Sequence, residues 1–380
     1  MKIGYITAAD SKSKYPWSGT IYYVAKALEK HCGEVVHLGP VPDNAMFRGR
    51  ITNKLLRTIG LGYDPLHDYP LARKYARHFS AKIAEEKLDV LVACAASTEI
   101  ALLETEIPII GIADVTGRLA HEYYEQFSNI INAKSLLEID GKFIHKCSAV
   151  IYSSDWAANS ARQDYGNVRG LIETIPFGAN VDPEDIPSIE TITNKPLTDV
   201  CRLLFLGVDW VRKGGDIAFD TMVELNKRGI STTLTVCGCI PPKKYSHPNL
   251  TVIPFLNKNI PAERQTFNEM LLNVDFLLVP TRKEAYGIVF CEANAFGLPA
   301  ITTATGGVTQ IVRNDINGFA LPEDAESKDY ANTIARYWSD RSTYSKLVLS
   351  SRNEYDTRLN WDTWGEKATK VIHKIIRQPS

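Results

Sequence analysis

The chain has 380 residues, 44% of them hydrophobic and 23% charged, with 43 Lys and Arg against 44 Asp and Glu for a net charge of −1. That length allows two domains of ordinary size, and the composition is that of a soluble globular protein, not a disordered or fibrous one. So even a charge balance argues against a dedicated nucleic-acid binder, and no apolar run approaches the ~20 residues that a membrane-spanning helix needs.

In chain order, MKIGYITAAD has one basic residue and an apolar run broken by Asp10, so it reads as a first strand and not as a signal peptide. The loop AADSKSKYPWSG follows, then a helix over Thr20–His31. EVVHLG, VLVACAA, PIIGIAD, AVIYSS and LIETIPFG read as further short buried strands, separated by helical runs such as Leu71–Lys87 and Leu137–Lys146. Around Asn180–Leu197 the composition turns to Pro, Thr, Asn and acids, as in an interdomain linker. Strands restart with CRLLFLG, TTLTVCG, LTVIPF, DFLLVP and PAITTAT. Such alternation predicts an α/β protein, with parallel sheets covered by helices on both faces. The tail Leu359–Ile376 reads as an amphipathic helix anchored by Trp361, Trp364, Val371 and Ile375.

The seven cysteines are scattered without a pattern, as expected for free thiols in a reducing cytoplasm. Cys237 and Cys239 lack a second pair at zinc-like spacing, and the eight histidines form no HxxH or HExxH, so no metal is expected.

The richest stretch is EAYGIVFCE, Glu284 to Glu292, running on through ANAFGLPAITTATGGV. It follows the apolar run DFLLVPT, so a strand should lead into a loop and then a helix opened by Gly287 and stopped by Gly297-Leu298-Pro299. Apolar residues cover most of that helix's circumference, so Glu292 is predicted to be buried and to need a partner. Glu284 stands just before the helix N-terminus, where free N–H groups favour an anion. A helix-dipole acid and a structural ion pair would explain the two glutamates one at a time. Together they also suit hydroxyl recognition, one on a ribose and one on a transferred sugar, with the amides near Ile288 as donors to oxygen.

The segment Pro280–Phe319, PTRKEAYGIVFCEANAFGLPAITTATGGVTQIVRNDINGF, resembles the donor-site signature of the retaining GT-B glycosyltransferases of family 4, the glycosyl transferases group 1. The resemblance extends over most of the chain and is specific mainly in the C-terminal half. It implies two Rossmann-like domains with a cleft between them. An acceptor domain would occupy residues 1–180 and a donor domain residues 198–358, with the last helix, 360–378, packing back on the first domain. It assigns Glu284 to the donor sugar, Glu292 to the ribose, and the backbone of Ala285, Tyr286, Gly287 and Ile288 to sugar contacts. It assigns Lys213 and Arg212, in VDWVRKGGD, to the donor diphosphate, and the N–H groups of Gly306 and Gly307 to phosphates or sugar. Gly19 and Thr20 match the loop that closes over the donor, and the backbone around Leu256 is assigned to the base. Where many members carry Arg after the glycine of the CRLLFLG strand, this chain has Val208.

Asp114, at the end of PIIGIAD, is the candidate cleft residue touching donor sugar or acceptor, and His121 is second to it, with an ordinary helix position as the alternative for His121. The implied reaction moves a sugar from a nucleotide-diphosphate sugar to a glycan, lipid-linked or small-molecule acceptor, with retention, without a metal, and with no cofactor beyond that co-substrate. A role in cell-surface polysaccharide or glycoconjugate synthesis goes with it. A catalytically silent sugar-nucleotide-binding subunit and a GT-B epimerase are the competing readings. Residues 48–82 carry Arg48, Arg50, Lys54, Arg57, Arg73, Lys74, Arg77 and Lys82 against Asp64 and Asp68, an excess of six positive charges. That patch suits an anionic membrane surface, as peripheral contact at the inner face, a phosphorylated or acidic glycan, or a solvated helix surface.

Overall fold

The computed structural model describes residues 1–42, 46–196 and 198–377. Its chain divides into two units, one formed by Met1–Pro176 with the residues from Trp364 onward, the other by Phe177–Thr363. In the first unit, strands β1 (Lys2–Ile6), β2 (Glu34–His37), β3 (Val90–Cys94), β4 (Ile109–Ala113), β5 (Ala149–Tyr152) and β6 (Leu171–Thr174) make a parallel sheet in the order β2-β1-β3-β4-β5-β6. In the second, β7 (Cys201–Leu206), β8 (Thr232–Cys237), β9 (Leu250–Ile253), β10 (Phe276–Val279), β11 (Ala300–Thr303) and β12 (Gly318–Leu321) follow the order β12-β11-β10-β7-β8-β9, again parallel.

The strand sequences explain this arrangement. VLVAC of β3 and FLLV of β10 are buried at every position, so neither has a polar face to offer water and helices must cover both sides. In the first unit Ile6, Phe79, Phe143 and Tyr152 fill one layer of core; in the second, Phe205, Met222, Phe276, Tyr330 and Trp338 do the same.

Two expectations shift. Of the stretch Asn180–Leu197, read as a linker, the described residues 180–196 belong to the second unit. Asn180, Asp182 and Ile192 are buried, and Arg264 holds Asp182 and Asp185 at 2.6 and 3.1 Å. Its acids and prolines cap and pair where composition suggested a tether. The tail helix runs Trp361–Ile376, and position 378 of the expected helix lies outside the described residues. Trp364, Ala368, Val371 and Ile372 are buried, whereas the other two expected anchors, Trp361 and Ile375, are half-buried. At Gly365 an added Cβ would stand 2.5 Å from the His31 ring, and Thr369 Oγ1 lies 2.8 Å from Cys32 Sγ. The residues beyond Trp364 are thus part of the first unit's packing.

Candidate functional site

In a doubly wound sheet, ligands collect outside the carboxyl ends of the strands, where the chain order reverses. In the second unit that point lies between β7 and β10, which are neighbours in the sheet while the chain winds away from them in opposite directions. The loop after β7 is drawn tight by glycines. Gly214 has φ +73°, and a Cβ there would stand 2.0 Å from the Pro280 carbonyl oxygen. Gly215 packs its bare Cα on the Trp210 ring, where a Cβ would meet carbons at 2.3 Å. This winding sends Lys213 inward, leaving it 8% exposed.

There the Lys213 ammonium forms an ion pair with Glu284 Oε2, from the loop after β10. Glu284 is itself 9% exposed. Beyond it Gly287, at φ 91°, begins the helix Ile288–Ala295; an added Cβ would lie 2.6 Å from the Phe290 ring and 3.3 Å from Glu284 Cγ. Tyr286 turns its side chain into the unit and donates to the Phe177 carbonyl at 2.8 Å. Its buried ring fixes the loop, leaving the backbone of 285–287 to line the helix entrance.

Glu292 lies one to two turns into that helix and is 1% exposed. Its partner is Lys258 Nζ, 2.5 Å from Oε1, on the loop after β9. Burial raises the Glu292 pKa, and Lys258 opposes that rise. The same ammonium sits 3.4 Å from the Asn180 carbonyl and 4.7 Å from the Phe267 ring centroid. Two carboxylates and two ammonium groups thus stand at the carboxyl ends of β7, β9 and β10, each carboxylate counterbalanced by a lysine.

Several assigned residues do something else as well. Arg212, expected on the diphosphate, donates from Nη1 to the Lys283 carbonyl at 3.0 Å, while its own carbonyl accepts from Arg282 N–H at 2.8 Å. It stitches the two loops that carry Lys213 and Glu284. The N–H of Gly307 donates to the Glu284 carbonyl at 3.3 Å, so that donor is already engaged by protein; Gly306 has φ +53° and starts the same turn. Leu256 is half-buried on the loop of Lys258, and Val208 is exposed.

Gly19, Thr20, Asp114 and His121 belong to the first unit. Gly19, at φ 92°, caps the helix Thr20–His31, and Thr20 is buried. Asp114 follows β4 directly and is half-buried. His121 donates from Nδ1 to the Phe127 carbonyl at 2.7 Å, a local role that holds the helix end.

Sequence reasoning missed the first unit's own switch point, between β1 and β3. A cavity of about 850 Å³ opens there, lined by Thr7–Asp10 after β1 and by Ser97, Thr98 and Glu99 after β3, with Arg50, His67 and Tyr75. Burial pushes the Glu99 carboxyl up to about 7, although the Ala8 N–H donates to it at 3.1 Å. Burial works against a charged His67, but Asp64, 2.5 Å from Nδ1, outweighs it and raises the His67 pKa. The tripeptide STE after an apolar strand was the available signal: a short helix there must bury one polar side chain. For Glu292, the signal was the nearest lysine on a carboxyl-end loop.

Two doubly wound parallel sheets in one chain, each with polar groups gathered at its switch point, define the GT-B class of folds. The comparisons agree: the sucrose-phosphate synthase structure from Thermosynechococcus elongatus superposes with a TM-score of 0.74, covering 98% of both chains at 16% identity. Anabaena HepE in complex with UDP-glucose gives 0.64 over 98% of this chain and 100% of that one, also at 16% identity. Residues 199–354 match the model of the family described as glycosyl transferases group 1. The D-inositol 3-phosphate glycosyltransferase of Xylanimonas cellulosilytica is 28% identical over 236 residues, 56% of this chain and 55% of its own length. The match therefore spans about half the length of that curated relative.

Proposed function

We propose that this chain is a retaining glycosyltransferase that binds a nucleotide-diphosphate sugar in the second unit. The observation that carries the reading is the double acid–lysine arrangement around the helix opened by Gly287. Two buried ion pairs are a poor investment for stability alone, because desolvation consumes most of the attraction. At a switch point they make sense as a set of groups that a ligand re-partners. On donor binding, Lys213 turns from Glu284 to the diphosphate, and Glu284 accepts hydroxyls of the sugar. Glu292 keeps Lys258 on one oxygen and offers its remaining lone pairs to the ribose hydroxyls, since a carboxylate can accept about four hydrogen bonds. The name of the HepE complex makes UDP-hexoses the first donors to try.

The acceptor hydroxyl then attacks the anomeric carbon on the face from which the diphosphate leaves. The C1–O bond breaks with its electron pair passing to the phosphate oxygen, and that oxygen takes the hydroxyl proton. Lys213 stabilises the charge that develops there. One such charge-assisted bond contributes about 1.5–3 kcal/mol, or roughly ten- to a hundredfold in rate. The cavity of the first unit, with Glu99 as a hydroxyl partner, is assigned to the acceptor. Asp114, in the first unit, remains a proposed contact to donor sugar or acceptor.

A thermal-shift panel of UDP-, GDP- and ADP-sugars tests the donor assignment, since a ligand at a hundred times its dissociation constant stabilises by about 2.7 kcal/mol. One donor should raise the melting temperature in the wild type and not in Glu292→Ala. A flat panel contradicts the proposal. Proton NMR of the first product then reads the anomeric configuration; inversion would refute the retaining reaction.

A further inference from the structure

Among the described residues, eighteen large hydrophobic side chains are well exposed, and six of them fall within residues 47–66. Three of those, Phe47, Ile51 and Leu55, lie on the helix Phe47–Arg57 and are 63%, 43% and 64% exposed. Spacing of four places them in one slanting stripe. At 3.6 residues per turn, Arg50, Lys54 and Arg57 fall along one border of the stripe and Arg48 along the other. The opposite face holds Gly49, Thr52, Asn53 and Leu56, which are buried or half-buried. Gly49 lies so close to the protein that a Cβ there would meet Pro65 Cβ at 2.8 Å, and Asn53 Oδ1 accepts from the Tyr63 N–H at 3.3 Å. The helix is therefore seated by Gly49, Thr52, Asn53 and Leu56, and it turns Phe47, Ile51 and Leu55 outward.

That inversion has no folding rationale, and charge says what covers it. From Met46 to Tyr63 the sequence contains four basic residues and no acid. A second copy of this face would meet like charge. A soluble polyanion would match the charge but gives the stripe nothing to bury in. An anionic bilayer satisfies both, with apolar side chains in the headgroup boundary and long basic side chains reaching the phosphates.

We propose that the helix Phe47–Arg57 seats this chain on an anionic lipid bilayer. Arg50, on this helix, and Met46, which precedes it, line the cavity of the first unit. An acceptor anchored in the membrane would therefore enter that cavity from the lipid surface, a consequence that rests on the acceptor assignment above.

Vesicle co-sedimentation of the full chain tests the proposal, with phosphatidylcholine alone and with phosphatidylglycerol added. The wild type should sediment with the anionic vesicles and not with the neutral ones. Arg48→Gln, Lys54→Gln and Arg57→Gln together should weaken binding about a hundredfold, near fivefold per charge. Phe47→Ser, Ile51→Ser and Leu55→Ser together should weaken it at least as much, with an unchanged melting temperature and an unchanged response to the nucleotide sugar. No sedimentation with anionic vesicles overturns the proposal. So does a serine triple variant that still binds vesicles, or one that melts early because the stripe packs against protein. A duplex DNA control identifies a general polyanion site if DNA competes fully and the serine variant loses nothing. None of these outcomes depends on the nucleotide-sugar shift, so failure here leaves the donor assignment intact.

Discussion

Replacing either partner of the Lys258–Glu292 pair should have unequal consequences. The pair joins a side chain that is 1% exposed to one that is 19% exposed. Glu292→Gln leaves an ammonium that can swing toward water and keeps an amide of the same shape, so it should cost about 1 kcal/mol. Lys258→Met leaves a carboxylate with almost no water, and removing one member of a buried pair costs about 3–5 kcal/mol. The carboxyl escapes part of that cost by taking a proton. Burial already raises its pKa above the reference of 4.5, with Lys258 holding it down, so losing Lys258 raises it further. The sign follows. The folded variant retains a proton that the unfolded chain has released, so its stability is fullest below the ordinary carboxylate range. That stability falls by about 1.4 kcal/mol per unit as pH rises toward the raised value. For a unit of this size each kcal/mol moves the melting temperature by about 2–4 °C. Near neutrality Lys258→Met should melt roughly 10 °C low and Glu292→Gln about 3 °C low. Calorimetry across about pH 5 to about pH 8 reads both. Equal losses in the two variants, or a Lys258→Met melting point that ignores pH, would refute the reasoning.

Further outcomes follow from neighbouring positions. Gly287→Ala meets both a positive φ of 91° and the Phe290 ring, so it should cost about 1–3 kcal/mol and abolish the nucleotide-sugar shift. Lys213→Ala should lower kcat by roughly ten- to a hundredfold with a smaller change in donor KM, read by steady-state kinetics. Glu99, with its carboxyl pushed up to about 7, favours the folded state while protonated and loses that advantage as pH rises through that value. Glu99→Gln should therefore be more stable than wild type by about 1–3 kcal/mol at pH 8 and nearly equal to it at pH 5; a difference independent of pH would contradict the burial argument.

The strands were legible because parallel sheets write themselves as unbroken apolar runs, as in FLLV and VLVAC. The helix Thr20–His31 has the bounds its pattern predicts, and the helix after Gly287 ends one residue early. Glu292 was legible as a site candidate because a buried charge is conspicuous in an apolar context, Glu284 because it stands before a helix N-terminus, and Lys213 through the resemblance. Their pairing was not. Lys213 meets Glu284 across 71 residues and Lys258 meets Glu292 across 34, and no local pattern encodes a contact made through sheet order. The structural part Arg212 plays was hidden for the same reason: its contact with the Lys283 carbonyl comes from the neighbouring loop. The Asn180–Leu197 stretch was misread because acids and prolines suit a tether and a capped, ion-paired wrap equally well.

The most direct measurement is a crystal structure with the donor identified by the thermal-shift panel. The account predicts the diphosphate within hydrogen-bonding distance of Lys213 Nζ, with that ammonium moved off Glu284 and a ribose hydroxyl on Glu292. A donor bound away from the helix at Gly287, with both acid–lysine contacts unchanged, would contradict it.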